Sequence, residues 1–178
     1  MGARLFGTDG VRGLANVDLT PDLAIDLARA AGDGRRGTVV VGRDTRRSGQ
    51  MLIDAVSVGF NAAGFDVIDL GIIPVGAVSH LTRDLGASYG VMVSASHNPA
   101  PDNGIKFFGP DGRKLDDERE DAIAARYAHG APWQEVSGAD LGIRSGVPDA
   151  MDRYLDHVAS RAKYSFSGLS VVLDCANG

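Results

Sequence analysis

Apolar residues alternate along this chain between short β-branched runs and longer stretches at helical spacing, and a glycine or proline stands at most of the changes. Thr20-Pro21-Asp22 predicts a helix start, with threonine as cap, proline at the first helical position and an acid in the first turn. Leu23, Ile25, Leu27, Ala28, Ala30 and Ala31 carry that helix to Gly32. Thr38 to Val41 is a strand bounded by glycines. A helix from about Gly49 to Ala63 then sets Met51, Leu52, Val56 and Phe60 on one stripe. Phe65 to Leu70 alternates as a strand, Gly71-Ile72-Ile73-Pro74 turns the chain, and a helix follows from Val75 to Leu85. Val91, Met92 and Val93 make another buried strand, and Ile105 to Phe108 a second short apolar run.

Strands alternating with helices at this interval predict βαβ units, hence a three-layer α/β/α domain with a mixed, mostly parallel sheet. Ile105 to Phe108 follows the Val91 strand too closely for a parallel crossover, so it pairs antiparallel or lies at an edge. Asp116 to His129 reads as an acidic helix with a solvated face and no assigned function. From Gly130 to Asp149, including Trp133, there is little periodicity, which suggests a connecting segment. Pro148 to Lys163 is a further helix with Met151, Tyr154, Leu155 and Val158 facing inward. Leu169 to Leu173 starts a fresh buried strand ending in Asp174-Cys175-Ala176-Asn177-Gly178. The chain therefore divides into residues 1–145, one complete domain, and residues 146–178, a linker helix and the first strand of a second, similar domain that is truncated.

Composition narrows the classes. At 178 residues, 44% apolar and 23% charged, this is the make-up of an ordinary soluble globular protein. No apolar run approaches the roughly 20 residues that span a bilayer. The amino terminus lacks the basic-then-apolar pattern of a secretory signal, so the expected location is cytoplasmic, with no membrane partner. A single cysteine, Cys175, excludes an intrachain disulfide and a cysteine zinc cluster, and reads as a small buried residue. The net charge of -5 argues against broad nucleic-acid binding. Only Lys106, Lys114 and Lys163 of the 18 basic residues are lysines, and a lysine amine, unlike a guanidinium, can titrate when its surroundings lower its pKa.

The candidate chemistry lies between Gly90 and Phe108. A strand ending in Ser94-Ala95-Ser96-His97-Asn98-Pro99 presents Ser96 where open α/β sheets place their ligands, outside the strand ends. Ser96 and His97 are consecutive, and in an extended chain their side chains point to opposite faces, which argues against a Ser-His hydrolase dyad. Phosphoryl transfer, which needs positioning and charge more than a strong base, suits the serine better. On residue types alone, Ser, Asn and Pro building a turn is an equally good account. Gly7, Gly10 and Gly13 form a loop whose backbone can approach a ligand, but the spacing is not that of a dinucleotide site and no full strand precedes it. Arg12 leaves this loop with a fork suited to phosphate oxygens. Asp44 and Arg46, after the Thr38 strand, are expected mainly to brace one another, and His80 has no partner at metal-binding spacing.

Three ordered segments resemble the α-D-phosphohexomutase family. Ser94 to Pro99 is similar to its phosphoserine loop, Asp102-Asn103-Gly104-Ile105-Lys106 to its lysine-bearing segment, and Phe6-Gly7-Thr8-Asp9-Gly10-Val11-Arg12-Gly13 to its amino-terminal signature, in a form whose Asp9 favours the glucosamine-phosphate branch. The resemblance implies that Ser96 carries a transferable phosphate, that Lys106 and Arg12 supply charge or help move the sugar-hydroxyl proton, and that His97 hydrogen-bonds near the serine. It implies Mg2+ as cofactor, bound here through the phosphate on Ser96 with its remaining ligands beyond this chain, and an amino-sugar phosphate as substrate. It also implies a homodimer through the first domain. The sugar-reading and principal substrate-phosphate loops of the family belong to later domains, so the chain alone is expected to lack useful turnover. The competing readings are a mutase of mannose or glucose phosphates, and a non-catalytic sugar-phosphate-binding or dimerisation domain.

Overall fold

The computed structural model describes residues 4–32, 35–130 and 136–174. Six strands form one sheet: β1 (Val11–Leu14), β2 (Gly37–Arg43), β3 (Phe65–Ile72), β4 (Tyr89–Val93), β5 (Asp102–Phe108) and β6 (Arg144–Gly146). Five α-helices accompany them: α1 (Pro21–Gly32), α2 (Gly49–Ala62), α3 (Val75–Asp84), α4 (Asp117–Ala128) and α5 (Ala150–Ser160). The sheet order is β1-β5-β4-β2-β3-β6. The β4–β2, β2–β3 and β3–β6 pairs are parallel, whereas β5 runs antiparallel to both β4 and β1.

Pleating explains why the central strands are apolar at almost every position, since both faces of the sheet are covered. Val39 and Val41 of β2, Val91 and Val93 of β4, and Ile105 and Phe107 of β5 face α1 and α2, where they meet Leu27, Leu52, Ile53, Val56 and Phe60. The intervening Val40, Met92 and Phe108 point the other way, onto Ala77, Val78 and Leu81 of α3. This is the three-layer arrangement that the alternation of elements predicts. Phe60 anchors the larger core, with ring centroids 5.7 Å from Phe65, 6.1 Å from Tyr89 and 6.5 Å from Phe107. The Thr20 cap holds as expected: its Oγ1 accepts from the Leu23 N–H at 3.2 Å.

Several sequence expectations need correction. The glycine-rich segment near the start is not all loop, because Val11–Leu14 forms β1, with Val11 opposite Ile105 and Arg12 opposite Gly104. The stretch after Gly130 is not only a connection, since β6 pairs with β3 through Val67–Arg144 and closes that edge of the sheet. Helix α4 does have its solvated face, and its opposite side adds a buried charge: Glu120 is fully buried, with Lys114 Nζ 2.7 Å and Arg4 Nη2 3.8 Å from its carboxylate. On α5 the expected inward face is largely outward. Ala150 is buried and Tyr154 partly so, but Met151, Leu155 and Val158 are exposed, because α5 packs mainly on α3. Leu169 to Leu173 forms no strand, and Val172 is 97% exposed; that run finds no partner strand among the described residues. Trp133 and Cys175 lie outside the described residues.

Candidate active site

β4 ends at Val93, and the Ser94 N–H still donates to the Gly104 carbonyl at 2.9 Å, so the chain leaves the sheet only at Ala95. It then turns sharply at Ser96, whose φ of +55° is in the left-handed region that non-glycine residues rarely occupy. Backbone strain of this kind gathers at ligand sites, where the surrounding structure enforces it. Ser96 and His97 are both exposed.

The left-handed turn corrects one expectation directly. Ser96 is not extended, so its side chain and that of His97 do not diverge: Ser96 Oγ lies 3.5 Å from His97 Nδ1. That separation is at the outer limit of a hydrogen bond, and no other hydrogen bond to the His97 ring occurs among the described residues. A hydrolytic dyad needs a shorter contact and a third group orienting the base, so the structure gives it no more support than the sequence does.

The amino-terminal segment reaches the same loop through β1 and β5. Arg12, on β1, donates through Nη1 to the Asn98 side-chain oxygen at 3.1 Å and through Nη2 to Asp9 Oδ2 at 2.6 Å. Lys106, on β5, forms an ion pair with the other oxygen of Asp9. Asp9 therefore joins the two cations, and Arg12 ties both to the serine loop. Partial burial works to raise the Asp9 carboxyl, but Lys106 and Arg12 outweigh it and hold the carboxyl below the usual carboxylate range. The Asp9 carboxylate thus stays charged across the neutral range, half-buried between the two cations.

A second set of contacts approaches from the end of β2. Asp44 Oδ2 accepts from Ser94 Oγ at 2.6 Å, and Ser94 Oγ accepts in turn from the Ser96 N–H at 3.0 Å. Asp44 and Arg46 do brace one another, at 3.1 Å, and Arg46 also reaches the serine loop. Asn103, fully buried, donates to Ser48 Oγ at 2.9 Å, securing β5 to the start of α2. The sequence reading did not place Asp9, Ser94, Asn98 and Asn103 in the site by role. Asp9 was visible only as a branch marker, and the others are short polar residues that any turn could contain. His80 lies on α3, its ring stacked on His157 of α5 at 3.7 Å.

The donor set does not make a magnesium site by itself. Among the described residues no group of three or more His, Cys, Asp or Glu side chains could hold a metal ion. The nearby carboxylates of Asp9 and Asp44 already pair with Lys106 and Arg12, and with Arg46 and Ser94. Magnesium prefers six oxygens in octahedral array, so a phosphate on Ser96 could not complete such a site alone.

The site thus consists of a strand-end serine in a left-handed turn, on a mixed α/β/α sheet, in a loop bonded to Arg12 and through Asp9 to Lys106. Residues 3–132 match the family model described as phosphoglucomutase/phosphomannomutase, alpha/beta/alpha domain I, and the chain belongs to that family. It is 53% identical over 182 aligned residues to a phosphoglucosamine mutase of Rhodococcus jostii RHA1, covering 98% of this chain and 41% of the relative. It is 51% identical to the phosphoglucosamine mutase of Mycobacterium sp. KMS, covering 99% of this chain and 41% of that one. The chain thus spans about two fifths of the length of these curated relatives. Among solved structures, a phosphoglucomutase/phosphomannomutase family protein from Burkholderia thailandensis superposes with a TM-score of 0.75 at 26% identity, over 90% of this chain and 36% of that one. No helix among the described residues is long and apolar enough to cross a membrane.

Proposed function

We propose that this chain supplies the serine domain of a phosphoglucosamine mutase, interconverting glucosamine 6-phosphate and glucosamine 1-phosphate through a phosphorylated Ser96 and a sugar bisphosphate. The observation that carries this reading is the exposed Ser96 hydroxyl on a left-handed turn, in a loop bonded to Arg12 and through Asp9 to Lys106. In the forward step a sugar hydroxyl oxygen bonds to the phosphorus on Ser96, and the serine ester P–O bond breaks. The proton lost by the sugar hydroxyl passes to the freed Ser96 oxygen, and the bisphosphate later returns its other phosphoryl group to that hydroxyl. Charge builds on the transferring oxygens, and the fixed cations Arg12 and Lys106 answer it. Lys106 is the titratable one of the two and is the group suited to pass the proton. His97, 3.5 Å from Ser96 Oγ, hydrogen-bonds at the serine and leaves proton transfer to the lysine.

Magnesium is the cofactor in this reading, held by the phosphate on Ser96 and by ligands outside this chain. Residues 1–145 are the serine domain, residues 146–178 lead into a second domain, and the 178 residues alone have no useful turnover. The protein works in the cytoplasm and pairs through this domain.

The test is a chimaera in which this chain replaces the matching stretch of the Rhodococcus jostii relative. It should turn over glucosamine phosphates faster than mannose or glucose phosphates, with phosphate on the Ser96 peptide by mass spectrometry. Ser96→Ala should abolish turnover, and Lys106→Met should lower it about 100-fold or more, the usual contribution of a group that moves a proton or stabilises charge. Turnover that survives Ser96→Ala would sink the assignment.

A further inference from the structure

We propose that Arg46 is the positioning residue that fixes the Ser96 backbone for phosphoryl transfer while making no contact with the phosphate itself; the proposal rests on the reading of Ser96 as phosphoryl carrier. A guanidinium has five N–H donors, and Arg46 uses all of them within the protein. Nε donates to Asp44 Oδ2 at 3.1 Å. Nη1 donates to the carbonyls of Pro99 at 2.6 Å and Asp102 at 3.0 Å. Nη2 donates to the carbonyls of Ser96 at 2.9 Å and Asn98 at 2.8 Å. The side chain is 11% exposed. No donor remains for a phosphate oxygen, in contrast to a surface arginine waiting for a ligand.

The turn itself creates the need. With Ser96 left-handed, four loop carbonyls converge on one point, and their dipoles would repel one another without a cation between them. Arg46 occupies that point and Asp44 anchors it, since Asp44 Oδ1 accepts from the Arg46 N–H at 3.0 Å and the Asp44 N–H donates to the Val93 carbonyl at 3.1 Å. The same Asp44 holds Ser94, whose Oγ accepts from the Ser96 N–H. Both backbone polar groups of Ser96 are therefore tied to the end of β2, while among the described residues its Oγ has only His97 within hydrogen-bond reach. A fixed backbone beneath a free hydroxyl suits a group that must meet two differently placed sugar oxygens in turn. Lysine cannot substitute, because three donors on a flexible stem cannot serve four carbonyls and a carboxylate.

The experiment compares Arg46→Lys with the parent chain. In the 178-residue chain, nitrogen-15 NMR should show the Ser96 and Asn98 amides exchanging at least about tenfold faster and the Ser96 coupling constant losing its positive-φ value. Amides of β2 and β3 should keep their protection. In the mutase chimaera, kcat should fall about 100-fold, the usual cost of misplacing a reacting group by about 1 Å, with KM for the sugar phosphate held within about threefold. Ser94→Ala, which removes one arm and leaves Arg46 in place, should move both readouts in the same direction by less. A KM raised tenfold or more at unchanged kcat would put Arg46 on the substrate phosphate and overturn the proposal. Loop amides untouched by Arg46→Lys would overturn it equally, since charge alone would then be enough. If the parent chimaera shows no turnover, the mutase reading falls, and the amide measurements decide the hold on the loop separately.

Discussion

Gly10 sets Asp9 and Arg12 against β5, and replacing it with alanine tests how rigid that seat is. Its φ is +88°, a conformation that costs an L-residue with a side chain about 1–2 kcal/mol. An added Cβ would overlap the Ile105 carbonyl oxygen, and would lie 3.0 Å from the Ile105 carbonyl carbon and 3.1 Å from Lys106 Cα. These are backbone atoms of a strand hydrogen-bonded on both sides, to β1 and β4, so β5 cannot yield and the amino-terminal segment must lift. Overpacking of this kind costs about 1–3 kcal/mol, which brings Gly10→Ala to about 2–5 kcal/mol. Gly86→Ala is the control: its φ is +63° with nothing within 4 Å of the added Cβ, so only the backbone cost of about 1–2 kcal/mol applies. At about 2–4 °C per kcal/mol for a chain of this size, calorimetry should show Tm falling by about 4–20 °C for Gly10→Ala and about 2–8 °C for Gly86→Ala. The Gly10 variant should fall further of the two. Equal melting temperatures, within about a degree, would refute the claim that β5 presses on Gly10.

Two further outcomes are expected. Glu120→Ala leaves Lys114 without its carboxylate in a mostly buried place and should destabilise the fold by about 2 kcal/mol in chemical denaturation, less than a fully buried pair because Lys114 is 30% exposed; no change would mean that the pair adds nothing to stability. Burial first, then the neighbouring His157, Arg83 and Arg161, hold the His80 imidazole below its ordinary value against the opposing pull of Asp84. A depressed histidine stabilises the folded state above its unfolded pKa and loses that contribution as pH falls from about 6.5 through the folded value. Hydrogen exchange in α5 should therefore speed up as pH falls through that window once corrected for intrinsic rates, and His157→Ala should flatten the response; a pH-independent α5 would contradict it.

The helices and central strands were legible because each announces itself locally: the Thr20 cap, the Val39 to Val41 run, and the stripe of Leu52, Val56 and Phe60 all sit in elements formed as expected. The exposure of Ser96 was legible too, from its place at a strand end. β1 was hidden because a four-residue strand inside a glycine motif has no periodicity of its own and exists only through its pairing with β5. The left-handed turn at Ser96 was hidden for a related reason. Serine does not favour that conformation, and the Arg46 and Ser94 contacts that impose it come from 50 residues upstream and from the strand end. The exposed face of α5 misled because an apolar stripe shows that a helix can bury a face, without showing that a partner lies within reach.

The position of β5 has a consequence for how the protein is made. Val11 pairs with Ile105, and among the described residues β1 has no strand partner other than β5, so β1 emerges from the ribosome with nothing to join until β5, which begins at Asp102, has followed. At roughly 5–20 residues per second it waits for several seconds. Any product released before β5 exists would leave β4 with a bare edge, and Arg12 and Lys106 could never meet around Asp9.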